Sequence, residues 1–479
     1  MARATNHLIQ PLSSSILSVT SHLVKKNHIY YNCSSSIMTT IKSLSTDSSK
    51  KSILPNQYFT LNTDKDVWTL TNEAASLAAT NSRNKDREML NLGQGFFSYS
   101  PPDFIIKDVQ RVVEIPLVNQ YSPTRGRPNL INELIKLYQP FYGNNVKLDK
   151  DNVTVHTGAN EAIFSCLIGL LNKGDEVIVF EPFFDQYISN IELAGGKIRY
   201  VPINPPKELN NRVTTGKEWE IDWDILDQSI NENTKAMILN TPHNPIGKVF
   251  TREELLRLGD ICVKHNILII ADEVYEHLYF TPEFTRIATL SPEIAQLTLS
   301  VGSAGKSFAA TGWRLGWVIS LNKELLNYVA KAHTRICFAS PSPFQEAVAL
   351  ALPQATKLNY FKNMQQEYIK KFKILTDAFD KLNLPYTIAE GSYFICANFV
   401  NVKIPKDYPF PEELLSKGKD FRISYWLMNE LGIVAIPPTE FYIKEHEHAA
   451  ENLLRFAVCK DDEYLVKAAE RFQLLKEYL

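Results

Sequence analysis

Lys306 lies in the string Ser303-Ala304-Gly305-Lys306-Ser307-Phe308-Ala309-Ala310-Thr311-Gly312-Trp313-Arg314, directly after the apolar, β-prone run Thr298-Leu299-Ser300-Val301. Small residues crowd it on both sides. An amine at a strand exit, with room for a flat ring beside it, is suited to carry an aromatic aldehyde as a Schiff base. A lysine near glycines means little alone, because most lysines are solvated surface charges. Other residues must join it. Asp272 ends the run Ile269-Ile270-Ala271. A carboxylate emerging from an apolar strand needs a partner or a large desolvation cost follows. A protonated ring nitrogen is one such partner; a helix N-terminus or a structural ion pair is the commoner one. Arg455, inside Leu453-Leu454-Arg455-Phe456-Ala457-Val458, poses the same problem with the opposite sign. Its fork fits the α-carboxylate of an amino acid, or else a buried salt bridge within the chain.

Further candidates sit at similar turns. Tyr275 follows Asp272 by three residues, and Asn244 lies in Asn240-Thr241-Pro242-His243-Asn244-Pro245. Either could hydrogen-bond a phenolic oxygen on the ring. Each also has an ordinary reading, a core tyrosine with a satisfied hydroxyl and an Asn-Pro turn. Thr157-Gly158-Ala159-Asn160 precedes a helix, whose free N–H groups and dipole would suit a phosphate. Ser303 and Arg314 flank Lys306 at spacings that could bring a hydroxyl and a guanidinium to that phosphate. Phe184, in Glu181-Pro182-Phe183-Phe184-Asp185, could stack on the ring, although core packing is the usual fate of an aromatic.

The elements that must position these groups follow from periodicity. From about Asn152 the chain alternates short apolar strands with helices: Val153–Val155, a helix to Leu171, Glu176–Phe180, a helix to Leu193, Lys197–Ile203, Lys235–Asn240 and Ile267–Ala271. Thr251-Arg252-Glu253-Glu254 is a capping box opening a helix to about His265. Such alternation predicts an α/β domain with a mostly parallel central sheet, whose ligands gather at strand C-terminal ends. After about residue 350 come a long charged helix, Asn359–Leu382, and shorter strands, which predict a smaller α+β domain. The ranges expected are 51–104 for an N-terminal arm and part of the small domain, 105–345 for the large domain, and 346–479 for the rest of the small one.

Composition excludes several classes. The 479 residues are 44% hydrophobic and 22% charged, with net charge -2, so no polyanion-binding surface is expected. No apolar run reaches the roughly 18–20 residues of a membrane span. Six scattered cysteines without C-x-x-C suggest reduced thiols and no metal site. Residues 1–46 hold no Asp or Glu, but do hold Arg3, Lys25, Lys26 and Lys42 among many Ser and Thr. That composition predicts a mitochondrial targeting segment over 1–50, against the alternative of a low-complexity tail with no address. A start at Met38 would leave a cytoplasmic form.

Taken in order, Asn91-Leu92-Gly93-Gln94-Gly95-Phe96, Glu181 to Asp185, Asn240 to Pro245, Asp272-Glu273-Val274-Tyr275, the Lys306 string, Gly391-Ser392-Tyr393-Phe394 and Arg455-Phe456 resemble class I aminotransferases of pyridoxal-phosphate fold type I. Within them the chain is most similar to the kynurenine aminotransferase group, its fungal members above all. That group overlaps with glutamine transaminase K and cysteine-conjugate β-lyase. The resemblance implies pyridoxal 5′-phosphate bound at Lys306, Asp272, Tyr275, Asn244, Ser303, Arg314, Gly158, Ala159, Asn160 and Phe184. It adds three positions: Gly95 in the substrate carboxylate pocket, Trp68 as a pocket wall, and Tyr121, reaching the cofactor of a neighbouring subunit in a homodimer. It implies transfer of an amino group from L-kynurenine, or another aromatic or large amino acid, to 2-oxoglutarate or another 2-oxo acid. The kynurenine product would cyclise to kynurenic acid. His243, Ala159, Phe97-Ser98 and Ala339 depart from common family residues and leave the substrate range open. A β-lyase acting on cysteine conjugates is the nearest alternative. A non-catalytic binding protein of the same fold could dispense with Lys306 and Arg455. A dinucleotide-binding protein is disfavoured, since no Gly-x-Gly-x-x-Gly follows the first strand of the α/β region.

Overall fold

In the computed structural model, residues 55–61 and 65–479 are described. The targeting segment expected over 1–50, and Met38 within it, lie outside the described residues. The chain divides into Met1–Asp64, where the described residues carry the short helix Gln57–Leu61, and Lys65–Leu479, which holds everything below.

The apolar runs of the sequence form strands, most of those in the central sheet buried on both faces. In chain order the strands are β1 (Leu90–Asn91), β2 (Val153–His156), β3 (Glu176–Glu181), β4 (Lys197–Asn204), β5 (Thr214–Thr215), β6 (Glu220–Ile221) and β7 (Thr234–Asn240). There follow β8 (Leu268–Asp272), β9 (Thr298–Ser303), β10 (Gly316–Ile319), β11 (Tyr386–Ile388), β12 (Phe394–Asn398), β13 (Ile433–Val434) and β14 (Leu453–Ala457). Eight of them make the central sheet in the order β2-β10-β9-β8-β7-β3-β4-β6. Strands β4, β3, β7, β8 and β9 run parallel, and β10 runs antiparallel to both β9 and β2. The helices between strands cover the faces, as parallel sheets require. The capping box at Thr251 forms as expected: Glu254 N donates to Thr251 Oγ1 at 3.2 Å, and Thr251 N to Glu254 Oε2 at 2.8 Å.

One strand reversal matters for the site. Because β10 is antiparallel, its beginning lies at the C-terminal edge of β9, with Gly316 paired to Ser303 and to His156. Arg314, just before β10, therefore stands beside the turn that leaves β2. Asn240 and Asp272 pair across β7 and β8 at that same edge.

A second sheet, β14-β12-β11-β5, packs with the helices Tyr360–Asp380 and Asp462–Phe472 around Tyr393, Phe394, Phe399 and Phe456. Its β5 comes from mid-chain, a segment that sequence ranges alone assign to the large domain. β1 pairs with β13, and Ala457 N donates to Leu92 O at 2.6 Å. The Gly93–Phe96 loop is thereby threaded against the C-terminal layer that carries Arg455.

Candidate active site

Lys306 lies in the one-turn helix Ala304–Ser307 that follows β9. Its Nζ donates to the Tyr393 hydroxyl at 2.7 Å. Burial is the largest influence on this amine; Cys459 and Asp272 pull its pKa up and the Arg314 and Arg455 charges push it down, for a net lowering to about 8. Asp272, 6% exposed at the end of β8, accepts from the Tyr187 hydroxyl and from Val274 N. Burial raises its carboxyl pKa, partly offset by those donors and by Lys306.

Both residues border one cavity of about 220 Å³. Its wall also includes Trp68, Gly95, Ala159, Asn160, Phe184, Asn244, Tyr275, Ser303, Arg314 and Arg455. The structure thus brings together nearly all the residues singled out in the sequence. Gly158 stands just behind the wall. Its backbone has φ +86°, and a Cβ there would lie 2.6 Å from an Arg314 guanidinium nitrogen. Glycine is what allows the guanidinium to lie flat against the turn. Tyr121 is the exception. It is 88% exposed, away from this cavity, with its ring 5.4 Å from that of Phe338 and in a surface hollow shared with Ala339.

Arg455 is 1% exposed. It donates from Nη1 to Asn244 Oδ1 at 3.0 Å and from Nη2 to Gly93 O at 2.8 Å, and its Nε finds no acceptor. Among the described residues it forms no ion pair, so the buried salt bridge that the sequence left open is not its partner there. The Phe394 ring centre lies 4.2 Å from the guanidinium, and those of Trp68 and Phe441 lie 5.3 Å away. Because the Asn244 oxygen faces Arg455, its Nδ2 is left as the donor toward the cavity. The Tyr275 hydroxyl stays protonated, since burial raises its pKa. Trp68 is fixed by Nε1 donating to Asp185 Oδ2 at 3.0 Å. His243 is buried and held neutral, its pKa pushed down to about 3 by burial and by Lys248, and it is not part of the cavity wall.

The helix Ala159–Leu170, which begins at the Gly158 turn, is anchored by its own Glu161. That carboxylate receives Thr157 N at 2.9 Å, His156 Nδ1 at 3.2 Å, His333 Nδ1 at 3.0 Å and the Ser165 hydroxyl. His156, Glu161 and His333 place their donor atoms within 4.8 Å of one another. Four donors on two oxygens make this a closed hydrogen-bond clamp.

Sequence reasoning gave no role to Tyr187 or Tyr393. Tyr187 lies three residues beyond Phe184, and the turn that opens the helix Gln186–Leu193, with Tyr187 N donating to Phe184 O at 2.9 Å, brings their rings to 5.6 Å. Tyr393, just before β12, meets Lys306 across 87 residues of chain, a long-range contact that no local pattern encodes.

Residues 87–472 match the family model for aminotransferase class I and II. A Saccharomyces cerevisiae protein named "Probable kynurenine--oxoglutarate transaminase BNA3" is 72% identical over 431 residues, covering 90% of this chain and 97% of its own. The kynurenine--oxoglutarate transaminase of Dictyostelium discoideum is 36% identical, covering 81% of this chain and 91% of its own. A crystal structure of the yeast protein Bna3p superposes with a TM-score of 0.87 at 71% identity, over 90% of this chain and all of that one. With this fold, this cavity and these similarities, the chain belongs to the class I and II aminotransferases, enzymes of fold type I.

Proposed function

We propose that this aminotransferase takes the amino group of L-kynurenine, and of other aromatic or large amino acids, and passes it to 2-oxoglutarate or another 2-oxo acid, using pyridoxal 5′-phosphate. The carrying observation is that an amine with a lowered pKa, a buried carboxylate and a guanidinium with free N–H groups all border one cavity. The names of the yeast and Dictyostelium relatives support kynurenine and 2-oxoglutarate as the substrate pair.

The residues present fit the cofactor. Gly158 and Arg314 form a cradle that any Cβ would fill, and Asp272 is a buried carboxylate that lacks a cationic hydrogen-bond partner. In this reading Gly158, Ala159 and Asn160, with Ser303 and Arg314, hold the phosphate. Asp272 would accept from the ring nitrogen, Tyr275 and Asn244 would donate to the ring oxygen, and Phe184 would flank the ring. When bound, pyridoxal phosphate supplies an electron sink for the pair left as the substrate Cα–H bond breaks. Lys306 anchors the cofactor through Nζ and, once released, takes the Cα proton as a neutral amine. Arg455 and Gly95 hold the α-carboxylate, and Trp68 closes the wall. With L-kynurenine the 2-oxo product cyclises to kynurenic acid.

The proposal includes a homodimer in which Tyr121 reaches the partner's phosphate site; the exposed Tyr121–Phe338 pair supports it. It also includes delivery of the full chain to the mitochondrial matrix, with a cytoplasmic form from Met38, supported by the acid-free residues 1–46. A panel of kynurenine, glutamine, phenylalanine and aspartate with fixed 2-oxoglutarate tests the central reading. Kynurenic acid formation at a rate matching the best donor is expected. Pyruvate and ammonia from a cysteine conjugate, without any oxo acid, would instead identify a β-lyase.

A further inference from the structure

We infer that Tyr393 is a positioning residue: its hydroxyl receives an N–H of Lys306 whenever that amine is free, and ties the amine to the loop that holds the substrate carboxylate. This rests on the reading of Lys306 given above. The hydroxyl is fully buried, with Lys306 Nζ at 2.7 Å, Gly95 O at 2.9 Å and the Tyr275 hydroxyl also within its reach. A hydroxyl has one proton. The Gly95 carbonyl can only accept, whereas the Tyr275 hydroxyl carries a proton of its own to give, so the Tyr393 proton belongs to Gly95. Toward Lys306 the hydroxyl oxygen therefore acts as acceptor. A neutral amine that gives one N–H to Tyr393 keeps its lone pair directed elsewhere, available for the Cα proton. In that step the proton passes to Nζ and the C–H electron pair passes to the cofactor ring.

The tyrosine ring is fixed to do this. Tyr275 meets it edge-on at 5.1 Å, Phe394 tilts against it at 4.7 Å, and Phe97 meets it at 5.6 Å. The loop is fixed as well. Gly93 O takes Arg455, Gln94 O and Phe96 O take Lys460 Nζ at 3.1 and 2.6 Å, and Gly95 O takes Tyr393. Lys460 is itself buried, with its amine 3.6 Å from the Phe96 ring centre. Every carbonyl from Gly93 to Phe96 thus has a donor, and only the Gly95 bond leads on to the reactive amine. Besides Tyr393, the ionisable groups around that amine are Cys459, Asp272, Arg314, Arg455 and Tyr275. Among the described residues, Tyr393 is the amine's hydrogen-bond acceptor.

The test compares Tyr393→Phe with Lys460→Met, as holoenzymes, in the half-reaction with phenylalanine carrying hydrogen or deuterium at Cα. Tyr393→Phe is expected to slow Cα proton removal about tenfold, the worth of one hydrogen bond, and to raise the primary isotope effect, with apparent affinity changed less than about threefold. Lys460→Met, which loosens the loop without touching Lys306, is expected to weaken affinity and leave the isotope effect alone. Equal isotope effects and rates in Tyr393→Phe and wild type overturn the inference, as do identical changes in the two variants. A crystal structure of the wild type with its cofactor in the amine form gives a check independent of variant folding. An Nζ to hydroxyl distance near about 3 Å is expected, and one beyond about 4 Å overturns the inference. A wild type inert to every amino acid would overturn the transferase reading together with this one. A reactive wild type that Tyr393→Phe merely matches overturns this one alone.

Discussion

Replacing Arg455 by Met puts the carboxylate clamp to a quantitative test. The guanidinium carries five N–H groups, and two are committed, to Asn244 Oδ1 and Gly93 O. Three remain for a ligand, enough for a two-point contact with a carboxylate. Hydrogen bonds to charged groups contribute about 1.5–3 kcal/mol each. Two at the low end give about 3 kcal/mol, or roughly two decades in affinity. The site is 1% exposed and flanked by Phe394, Trp68 and Phe441, so water screens the interaction little. Titrating cofactor absorbance with tryptophan and with tryptamine isolates the carboxylate. Tryptophan affinity should fall about a hundredfold in Arg455→Met, and tryptamine affinity less than about threefold. Arg455→Lys keeps the charge but loses the fork, and should fall between them. A thermal melt of each variant checks folding, because Gly93 O and Asn244 Oδ1 lose their donor. Unchanged tryptophan affinity, or equal losses for both ligands in a folded variant, would refute the assignment.

Three further outcomes follow from the same geometry. Lys306→Ala should remove the absorbance of lysine-bound cofactor and slow turnover by about a thousandfold or more; steady-state rates within about tenfold of wild type would contradict its role. The Lys306 amine, lowered to about 8, must be neutral to capture an aldehyde. The rate at which apoenzyme captures pyridoxal phosphate should therefore rise with pH through about 8 and then level, whereas an ordinary lysine would keep rising toward about 10.4; stopped-flow rates still climbing at high pH would count against the lowered value. Gly158→Ala places a Cβ 2.6 Å from Arg314, in a backbone region that costs about 1–3 kcal/mol for other residues. It should weaken pyridoxal phosphate about tenfold or more while sparing pyridoxal, measured by fluorescence titration; equal effects on both ligands would place the phosphate elsewhere.

Arg455 was legible as a charge inside an apolar strand, whereas the legible residues of the central sheet share another feature: they lie at or beside a strand end, where local pattern alone limits their surroundings. Asp272 closes β8, Lys306 follows β9, and Gly158 opens a helix after β2. A polar group at the end of an apolar run must face the edge of the sheet, and in a parallel sheet those edges coincide. Periodicity therefore brought them together without any knowledge of strand order. Arg314 needed one fact more, the reversal of β10, which carries the chain back to the same edge. What stayed hidden depends on contacts between distant layers. Thr214–Thr215 joins β11 because β5 crosses from mid-chain, and two residues carry too little pattern to announce it. Phe394 reads as an ordinary core aromatic until β12 places it against Arg455.

Tyr393 is the most consequential of these hidden residues, and its position explains how the two layers act as one. The central sheet supplies Lys306, the Gly158–Arg314 turn and Asp272. The C-terminal layer supplies Arg455, Lys460 and Tyr393, all of which donate to the Gly93–Phe96 loop. Lys460 holds that loop and stops there, and Arg455 goes on to Asn244 but not to the amine. Tyr393 alone holds it and also receives Lys306, so a displacement of Gly95 must alter the bond that orients the amine. A buried hydroxyl cannot turn to water for a replacement, and losing either partner leaves a polar atom unsatisfied at about 1–3 kcal/mol. That cost makes the two contacts interdependent: a well-seated carboxylate loop and a well-aimed amine are favoured together. On the proposed roles, binding at one end of the substrate would in this way be expressed at its reacting carbon, which is where binding energy must act to accelerate the chemistry.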